Sequence, residues 1–199
     1  MKLILSGLVI LTLLFSACEQ INEPVINSVQ SDSPSENFNF SPDKDVVLSI
    51  IPLPERSLIY KDSVFVVSKL INGLLGGTIT LDRLYLSNEG RIVTILVNLV
   101  VPPLAFIGQR EISVKIEDSL AVMDCGPGMT FRRPLSLVQT FTGLDLKNYN
   151  TSNVNFVYIH DDGTFSPVQK TGMFVNKQLG IVSVLNAKIG HFSKYGWVR

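Results

Sequence analysis

The amino-acid sequence predicts an all-β protein, an antiparallel β-sandwich preceded by a signal peptide and a flexible tether. Three observations predict this class. Short apolar runs rich in β-branched residues follow residue 45, and glycine-containing turns separate them. No segment after residue 17 carries a helical stripe of about 12 residues. With 199 residues, 46% of them hydrophobic and 17% charged, the chain is long enough to bury a core.

The predicted strands are recognised by alternation and by their apolar runs. Residues 111–117 alternate Ile112, Val114 and Ile116 with polar neighbours, which indicates a strand with one face in water. Residues 154–160 are apolar in both phases, so we expect that strand to be covered on both faces. The other predicted strands are residues 46–51, 63–71, 78–81, 91–101, 120–124, 135–141, 173–176 and 181–185.

The predicted turns contain glycine at positions between these runs. They are Gly76-Gly77, Asn88-Glu89-Gly90, Asp161-Asp162-Gly163 and Leu179-Gly180. Asp162-Gly163 predicts a hairpin, because both residues tolerate a positive φ.

The first 17 residues predict a secretory signal. Lys2 is its charged residue, residues 3–14 are apolar, and residues 15–17 (Phe-Ser-Ala) end in two small side chains before Cys18. The apolar stretch is shorter than the roughly 20 residues that span a bilayer. Without Lys2 the chain has 16 basic and 17 acidic residues, so it carries no basic surface for nucleic acid.

The residues that end at Cys18 resemble the lipobox of bacterial lipoproteins, although Phe15 stands where that family usually has Leu. The resemblance implies a diacylglyceryl group on the Cys18 thiol and a membrane anchor. An ordinary signal peptide with an incidental Cys18 is the alternative. Glu19 is not the Asp that retains such lipoproteins in the inner membrane, so the outer membrane is favoured, facing the periplasm or the exterior. With Cys18 acylated, Cys125 is the remaining thiol and no internal disulfide can form.

The segment that follows predicts a tether. Residues 18–44 are rich in Ser, Asn, Asp, Glu and Pro, and cannot bury enough apolar surface to order themselves. A flexible chain of this length spans about 25–30 Å. An extension docked through Phe38 or Phe40 is the alternative. Residues 45–75 could add a pair of strands or form a small lobe, and residues 76–199 form the sandwich domain.

A segment in the middle of the chain resembles the signature of a known β-sandwich family. Its matching residues are Cys125, Gly126, Pro127, Gly128, Phe131 and Pro134. The signature is similar to that of the "ZU-five" domain of zonula occludens scaffolds, netrin receptors and ankyrins. Gly76-Gly77 and Pro102-Pro103 also resemble positions of that family, whereas residues 142–152 align with nothing. The resemblance covers residues 76–197 and implies an interaction module.

The same segment has a plain structural interpretation. Pro127 and Gly128 predict a tight turn, Phe131 fills the core at a corner, and Pro134 starts the next strand. Cys125 is expected to be a small buried apolar residue rather than a nucleophile.

The resemblance also implies a possible self-cleavage, because some members of that family cut themselves at a His-Phe-Ser motif. Here Ser193 Oγ would attack the Phe192 carbonyl carbon with His191 as the base, and water would hydrolyse the resulting ester. The alternative is a plain last strand, with Phe192 or Trp197 packed inward.

Few other residues could carry chemistry. Cys125, His160 and His191 share no motif, and two His with two Cys are too few for a usual zinc site. Asp161 and Asp162 lack the further oxygen ligands of a calcium loop. The sequence therefore predicts no metal, no cofactor and no enzymatic activity.

The predicted function is that of a lipid-anchored interaction module in a bacterial envelope. Cys18 would join it to the membrane, and its partner would be an unidentified envelope protein. A sandwich that binds glycan or another small ligand is a further hypothesis. That hypothesis requires a shared exposed face for four aromatic residues, which are Tyr149, Tyr158, Phe165 and Trp197.

Overall fold

The computed structural model describes residues 48–60 and 65–199. The predicted signal peptide, Cys18 and the predicted tether of residues 18–44 lie outside this part of the chain. Within it, two antiparallel sheets pack against each other, which confirms the all-β sandwich.

The sandwich is built from strands joined by short turns, with two short 3-10 helices at Leu58–Tyr60 and Thr151–Asn153. The strands are β1 (Val66–Asn72), β2 (Gly77–Leu86), β3 (Ile92–Val101), β4 (Gln109–Ile116), β5 (Val122–Gly126), β6 (Thr130–Thr142), β7 (Asn155–Ile159), β8 (Phe165–Pro167), β9 (Gly172–Asn176), β10 (Ile181–His191) and β11 (Lys194–Val198). One sheet has the order β1-β4-β5-β11-β7-β8, and the other has the order β2-β3-β6-β10-β9. We call them the six-stranded and the five-stranded sheet.

The antiparallel pairing gives the sandwich two distinct ends. The connections β1–β2, β3–β4, β5–β6, β7–β8 and β10–β11 lie at one end, which we call the motif end. The connections β2–β3, β4–β5 and β9–β10 lie at the opposite end. Ser49 and Arg199 pair beyond the last residue of β11, so the described chain also begins at the opposite end.

The core between the sheets is apolar, with one buried polar contact across it. Its largest fully buried side chains include Trp197, Tyr85, Phe141 and Phe156. The Trp197 indole N–H donates to Gln139 Oε1 at 3.0 Å, which links β11 of one sheet to β6 of the other. A buried donor left without an acceptor costs about 1–3 kcal/mol, so this hydrogen bond favours the observed packing of the two sheets against each other.

Strand β7 is covered on both faces, as its sequence predicts. Phe156 lies in the main core, whereas Val157 packs in a second small cluster on the outer side of the six-stranded sheet. Leu48 and Ile50 pack against that second cluster. The β7–β8 hairpin also forms as predicted, with Gly163 at φ +82°.

Two strands are longer than the sequence predicts, and one starts earlier. β2 continues to Leu86 because it pairs with β3 over its whole length. β10 continues past an irregularity at Asn186, which takes a φ of +52°. β6 begins at Thr130, so Pro134 lies inside the strand rather than at its start. The pairing with β10 is interrupted at that point, so the amide that Pro134 lacks is not needed.

The stretch before β1 is part of the sandwich. Ile51 and Leu53 are buried in the main core, and β1 forms the edge of the six-stranded sheet next to β4. The Arg56 guanidinium lies 4.0 Å from the centre of the Phe65 ring and forms an ion pair with an Asp118 carboxylate. Of residues 45–75, the described part therefore contributes one strand and a packed segment instead of a separate lobe.

Candidate functional site

The two motifs singled out in the sequence meet in one corner at the motif end. The Cys125 N–H donates to the Ser193 carbonyl oxygen at 3.1 Å, and the Phe192 N–H donates to the Met129 carbonyl oxygen at 2.8 Å. The rings of Phe131 and Phe192 pack edge to face, with their centroids 4.7 Å apart. These contacts tie the β5–β6 connection to the β10–β11 turn, which makes the corner a packed structural joint.

The Cys125 thiol is buried inside this corner. Burial raises its pKa, and the negative charge of Asp124 raises it further. A thiol acts as a nucleophile in its thiolate form, so Cys125 serves here as a packing residue.

The other motif residues shape the connection itself. The Gly126–Pro127 peptide bond is cis. Gly128 has open space where a Cβ would point, and Phe131 and Phe192 are both buried. Pro134 is exposed within β6.

Two histidines and two tyrosines form a cluster that no sequence motif predicts. The Tyr158 ring lies 4.3 Å from the His160 ring and 4.7 Å from the His191 ring, measured between centroids. The Tyr195 hydroxyl donates to the His191 carbonyl oxygen at 2.8 Å, and burial raises its pKa. His160 Nε2 lies 2.6 Å from Ser166 Oγ. Sequence spacing carries no signal for this cluster, because β7 and β10 belong to different sheets.

The histidine cluster does not engage the candidate nucleophiles. Across residues 48–60 and 65–199, neither His160 nor His191 shares a hydrogen bond with Ser193 or Cys125. A general base must lie within hydrogen-bond reach of the proton that it removes. The observed geometry therefore gives self-cleavage at Ser193 no direct support.

The paired aspartates of the β7–β8 hairpin have a structural role. The Asp162 carboxylate accepts from the Thr164 hydroxyl at 2.7 Å and from the Thr164 N–H at 2.9 Å. These hydrogen bonds, the hydroxyl first, lower the pKa of Asp162. In the described ranges, no group of three His, Cys, Asp or Glu side chains is placed to hold a metal ion.

The four aromatic residues considered for ligand binding do not share an exposed face. Trp197 is fully buried and Tyr158 packs among the histidines. Phe165 packs against the second cluster on the other side of the six-stranded sheet. Tyr149 lies under the Arg199 guanidinium, 3.9 Å from its ring centre. This arrangement does not favour glycan binding.

A shallow charged depression of about 310 Å³ lies at the opposite end. Arg91 occupies it and pairs with the carboxylates of Glu89 and Asp145. Lys147 and Lys177 line the same depression. Because positive and negative groups alternate around it, the depression presents no single sign of charge to a ligand.

The outer face of the five-stranded sheet carries the largest group of exposed apolar side chains among the described residues. Eight large apolar side chains point from this face into solvent, with exposed fractions between 37% and 59%. They are Leu84, Leu86, Ile92, Leu96, Val100, Val138, Leu185 and Phe174. We call this surface the outer apolar face. They come from all five strands, and Leu86 lies directly opposite Ile92 in the β2–β3 pairing.

Most of the polar residues between these side chains are small, and two pairs of them are hydrogen-bonded to each other. Thr140 Oγ1 lies 2.7 Å from Ser183 Oγ, and the Ser136 hydroxyl donates to Asn186 Oδ1 at 2.6 Å. In the paired rows of this face, the charged residues are Asp82 and Lys188. These paired polar groups therefore lose little hydration when a partner covers the face.

The sequence contained a signal for this surface. Residues 91–101 are apolar in both phases of the strand, although only one phase can face the core. Such a run predicts either a strand buried on both faces or an exposed apolar face, and only the neighbouring layers decide between them.

Comparison with known proteins returned no matching family model, no matching curated protein and no matching solved structure. Within the described residues, no helix has the length and apolar character needed to cross a membrane.

Proposed function

We propose that this protein is a non-enzymatic, lipid-anchored protein of a bacterial cell envelope whose sandwich is an interaction module. The outer apolar face carries this proposal. Monomeric proteins rarely expose large contiguous apolar patches, and such patches mark interaction sites. The described chain gathers eight exposed apolar side chains on one rigid sheet instead of scattering them.

The proposed partner is an envelope protein with an apolar surface of its own. The outer apolar face holds one acidic and one basic residue in its paired rows, so attraction between charges contributes little. Burial of apolar area then supplies the main driving force. Binding of this kind changes little with ionic strength, because salt screens interactions between charges.

The lipid anchor and the location in the cell envelope are proposed from the sequence. The lipobox-like residues before Cys18 support acylation, and Glu19 favours the outer membrane. The resemblance to the "ZU-five" domain supports a module that binds proteins, and the packed corner at Cys125 and Phe131 is compatible with the structural role of its signature.

Acylation is tested by feeding labelled palmitate to cells that produce the full chain. We expect label on the protein and none on a Cys18→Ala variant, which should also keep its signal segment. Label that persists on Cys18→Ala contradicts the anchor but leaves the proposed docking face untouched.

The docking face is tested by placing a photo-crosslinking residue at Leu96 or Phe174 in the full chain. We expect one partner to crosslink from both positions and not from Lys115, an exposed residue on the six-stranded sheet. The crosslink from Phe174 should be lost in Leu96→Asp and kept in Lys115→Asp, with both variants unfolding at the wild-type temperature. Equal crosslinking from all three positions contradicts the proposal.

A further inference from the structure

Two loops at the motif end form an apolar projection that the proposed docking face does not include. The β1–β2 loop exposes Leu74 and Leu75, and the β3–β4 loop exposes Leu104 and Ile107. Their exposed fractions lie between 49% and 76%. We call these four side chains the aliphatic tip.

The loops that carry the tip are fixed to each other and to the core. The Gly73 N–H donates to the Gly108 carbonyl oxygen at 2.8 Å, and the Leu104 N–H donates to the Leu74 carbonyl oxygen at 3.3 Å. Ala105 and Phe106, between the two exposed residues of the β3–β4 loop, are buried. The tip is therefore held out by the fold, and its exposure is not that of a loose loop.

The backbone at Leu104 is in the left-handed region, with a φ of +66°. This conformation is disfavoured for a residue that carries a side chain, and such positions gather at functional sites. Here it allows Ala105 and Phe106 to enter the core while Leu104 stays in solvent. The strain supports the display of an apolar side chain.

Three exposed arginines surround the base of the tip. Arg133 Nη1 donates to the Pro103 carbonyl oxygen at 3.2 Å, and the Arg132 backbone N–H donates to the Ala105 carbonyl oxygen at 2.8 Å. Arg110 is the second residue of β4, just after the β3–β4 loop. The acidic residue Glu111 follows Arg110 on β4.

The acidic residues of the described strand connections lie elsewhere. Those at the opposite end are Glu89, Glu117, Asp118 and Asp145. Asp161 and Asp162 lie in the β7–β8 hairpin, which is also at the motif end but at the edge of the six-stranded sheet farthest from β1. The rim of the tip is therefore basic, whereas the opposite end carries both signs of charge, with Arg91, Lys147 and Lys177 beside its acidic residues.

We propose that the aliphatic tip docks on an anionic lipid surface. The four side chains would enter the boundary between headgroups and acyl chains, and the three arginines would bind phosphate groups. Exposed leucine and isoleucine side chains with a basic rim suit this partner, because interfacial binding combines apolar burial with attraction to anionic lipids. The inference is independent of acylation at Cys18 and of the outer apolar face.

The test uses the full chain with Cys18→Ser, so that residue 18 neither carries lipid nor reacts with a label. Cys125 is buried and is not expected to react. An environment-sensitive fluorophore is attached at Leu75→Cys or, as a matched control, at Leu179→Cys. Leu179 is 64% exposed and lies in the β9–β10 turn at the opposite end. The vesicles contain phosphatidylcholine alone or mixed with phosphatidylglycerol.

We expect a blue shift at Leu75→Cys with the mixed vesicles, a smaller one with phosphatidylcholine alone, and none at Leu179→Cys. The double change Leu104→Ser and Ile107→Ser should weaken vesicle binding detected at position 75 by about tenfold or more. Arg132→Glu with Arg133→Glu should abolish the preference for anionic lipid.

An unchanged spectrum at position 75 overturns the proposal. Equal shifts at both positions also overturn it, because they indicate binding through another part of the chain. A shift that appears only when an envelope protein is added identifies a protein partner and overturns the lipid assignment.

Discussion

For individual residues, the neighbouring contacts determine whether a reactive group can react. The Phe192 ring packs against the Phe131 ring, and the Phe192 N–H donates to the Met129 carbonyl oxygen. The Ser193 carbonyl oxygen accepts from the Cys125 N–H. His191 packs its ring against Tyr158. The His-Phe-Ser motif can be recognised in the sequence. The contacts that its three residues make come from β5, β6, β7 and the β5–β6 connection, which are distant in the chain.

We therefore expect the peptide bond between Phe192 and Ser193 to stay intact. The mass of the purified chain, measured in denaturant, should include residues 193–199. Ser193→Ala should differ from the wild type only by the mass of one oxygen atom. A wild-type product that ends at Phe192, absent from the Ser193→Ala variant, would instead establish self-cleavage.

At the scale of elements, turns and edges decide where strands end. Alternation and β-branched runs locate most strands, and glycine locates the turns, because both signals act within a few residues. Apolar alternation does not predict the second half of β2, because the charged residues Asp82 and Arg83 interrupt it. Pairing with β3 stabilises the strand there. It also places Pro134 at the wrong position, since the interrupted pairing with β10 is not a local property.

Two turn glycines with similar φ test how much of a turn depends on distant packing. Gly180 has a φ of +63°, and a Cβ there would lie 2.1 Å from the Leu144 carbonyl oxygen. Gly163 has a φ of +82° and open space around it. Gly163→Ala should lower the free energy of unfolding by about 1–2 kcal/mol, the cost of the left-handed backbone. Gly180→Ala should cost a further ~1–3 kcal/mol for the overlap. Urea unfolding of both variants measures the difference, and equal losses would contradict the contact with Leu144.

At the scale of the whole molecule, the sandwich joins segments that are distant in the chain. Residues 48–53 reach the same core as β11, and Ile50 pairs with Val198 near the end of the chain. The strand directions place the described start of the chain at one end and the aliphatic tip at the other. These relations depend on sheet order, which no local pattern encodes.

The packed segment before β1 yields a matched pair of isoleucines. Ile51 is fully buried and Ile59 is 85% exposed. Ile51→Ala should lower the free energy of unfolding by about 2–5 kcal/mol, because it leaves a cavity in the core. Ile59→Ala should change it by less than about 0.5 kcal/mol. A small loss for Ile51→Ala in denaturant unfolding would mean that residues 48–53 do not stabilise the sandwich.

The amino-acid sequence was enough to predict the all-β class, most of the strands and the β7–β8 hairpin, because apolar alternation and turn chemistry are local properties. It also identified the corner residues Cys125 and Phe131. Which apolar residues stay in solvent depends on how the sheets pack, because the same apolar run fits a buried strand or an exposed one. Leu96 and Leu104 are exposed since no described layer covers them, whereas Leu99 and Phe106 are buried by the facing sheet and the core. The two proposed binding surfaces follow from that distinction.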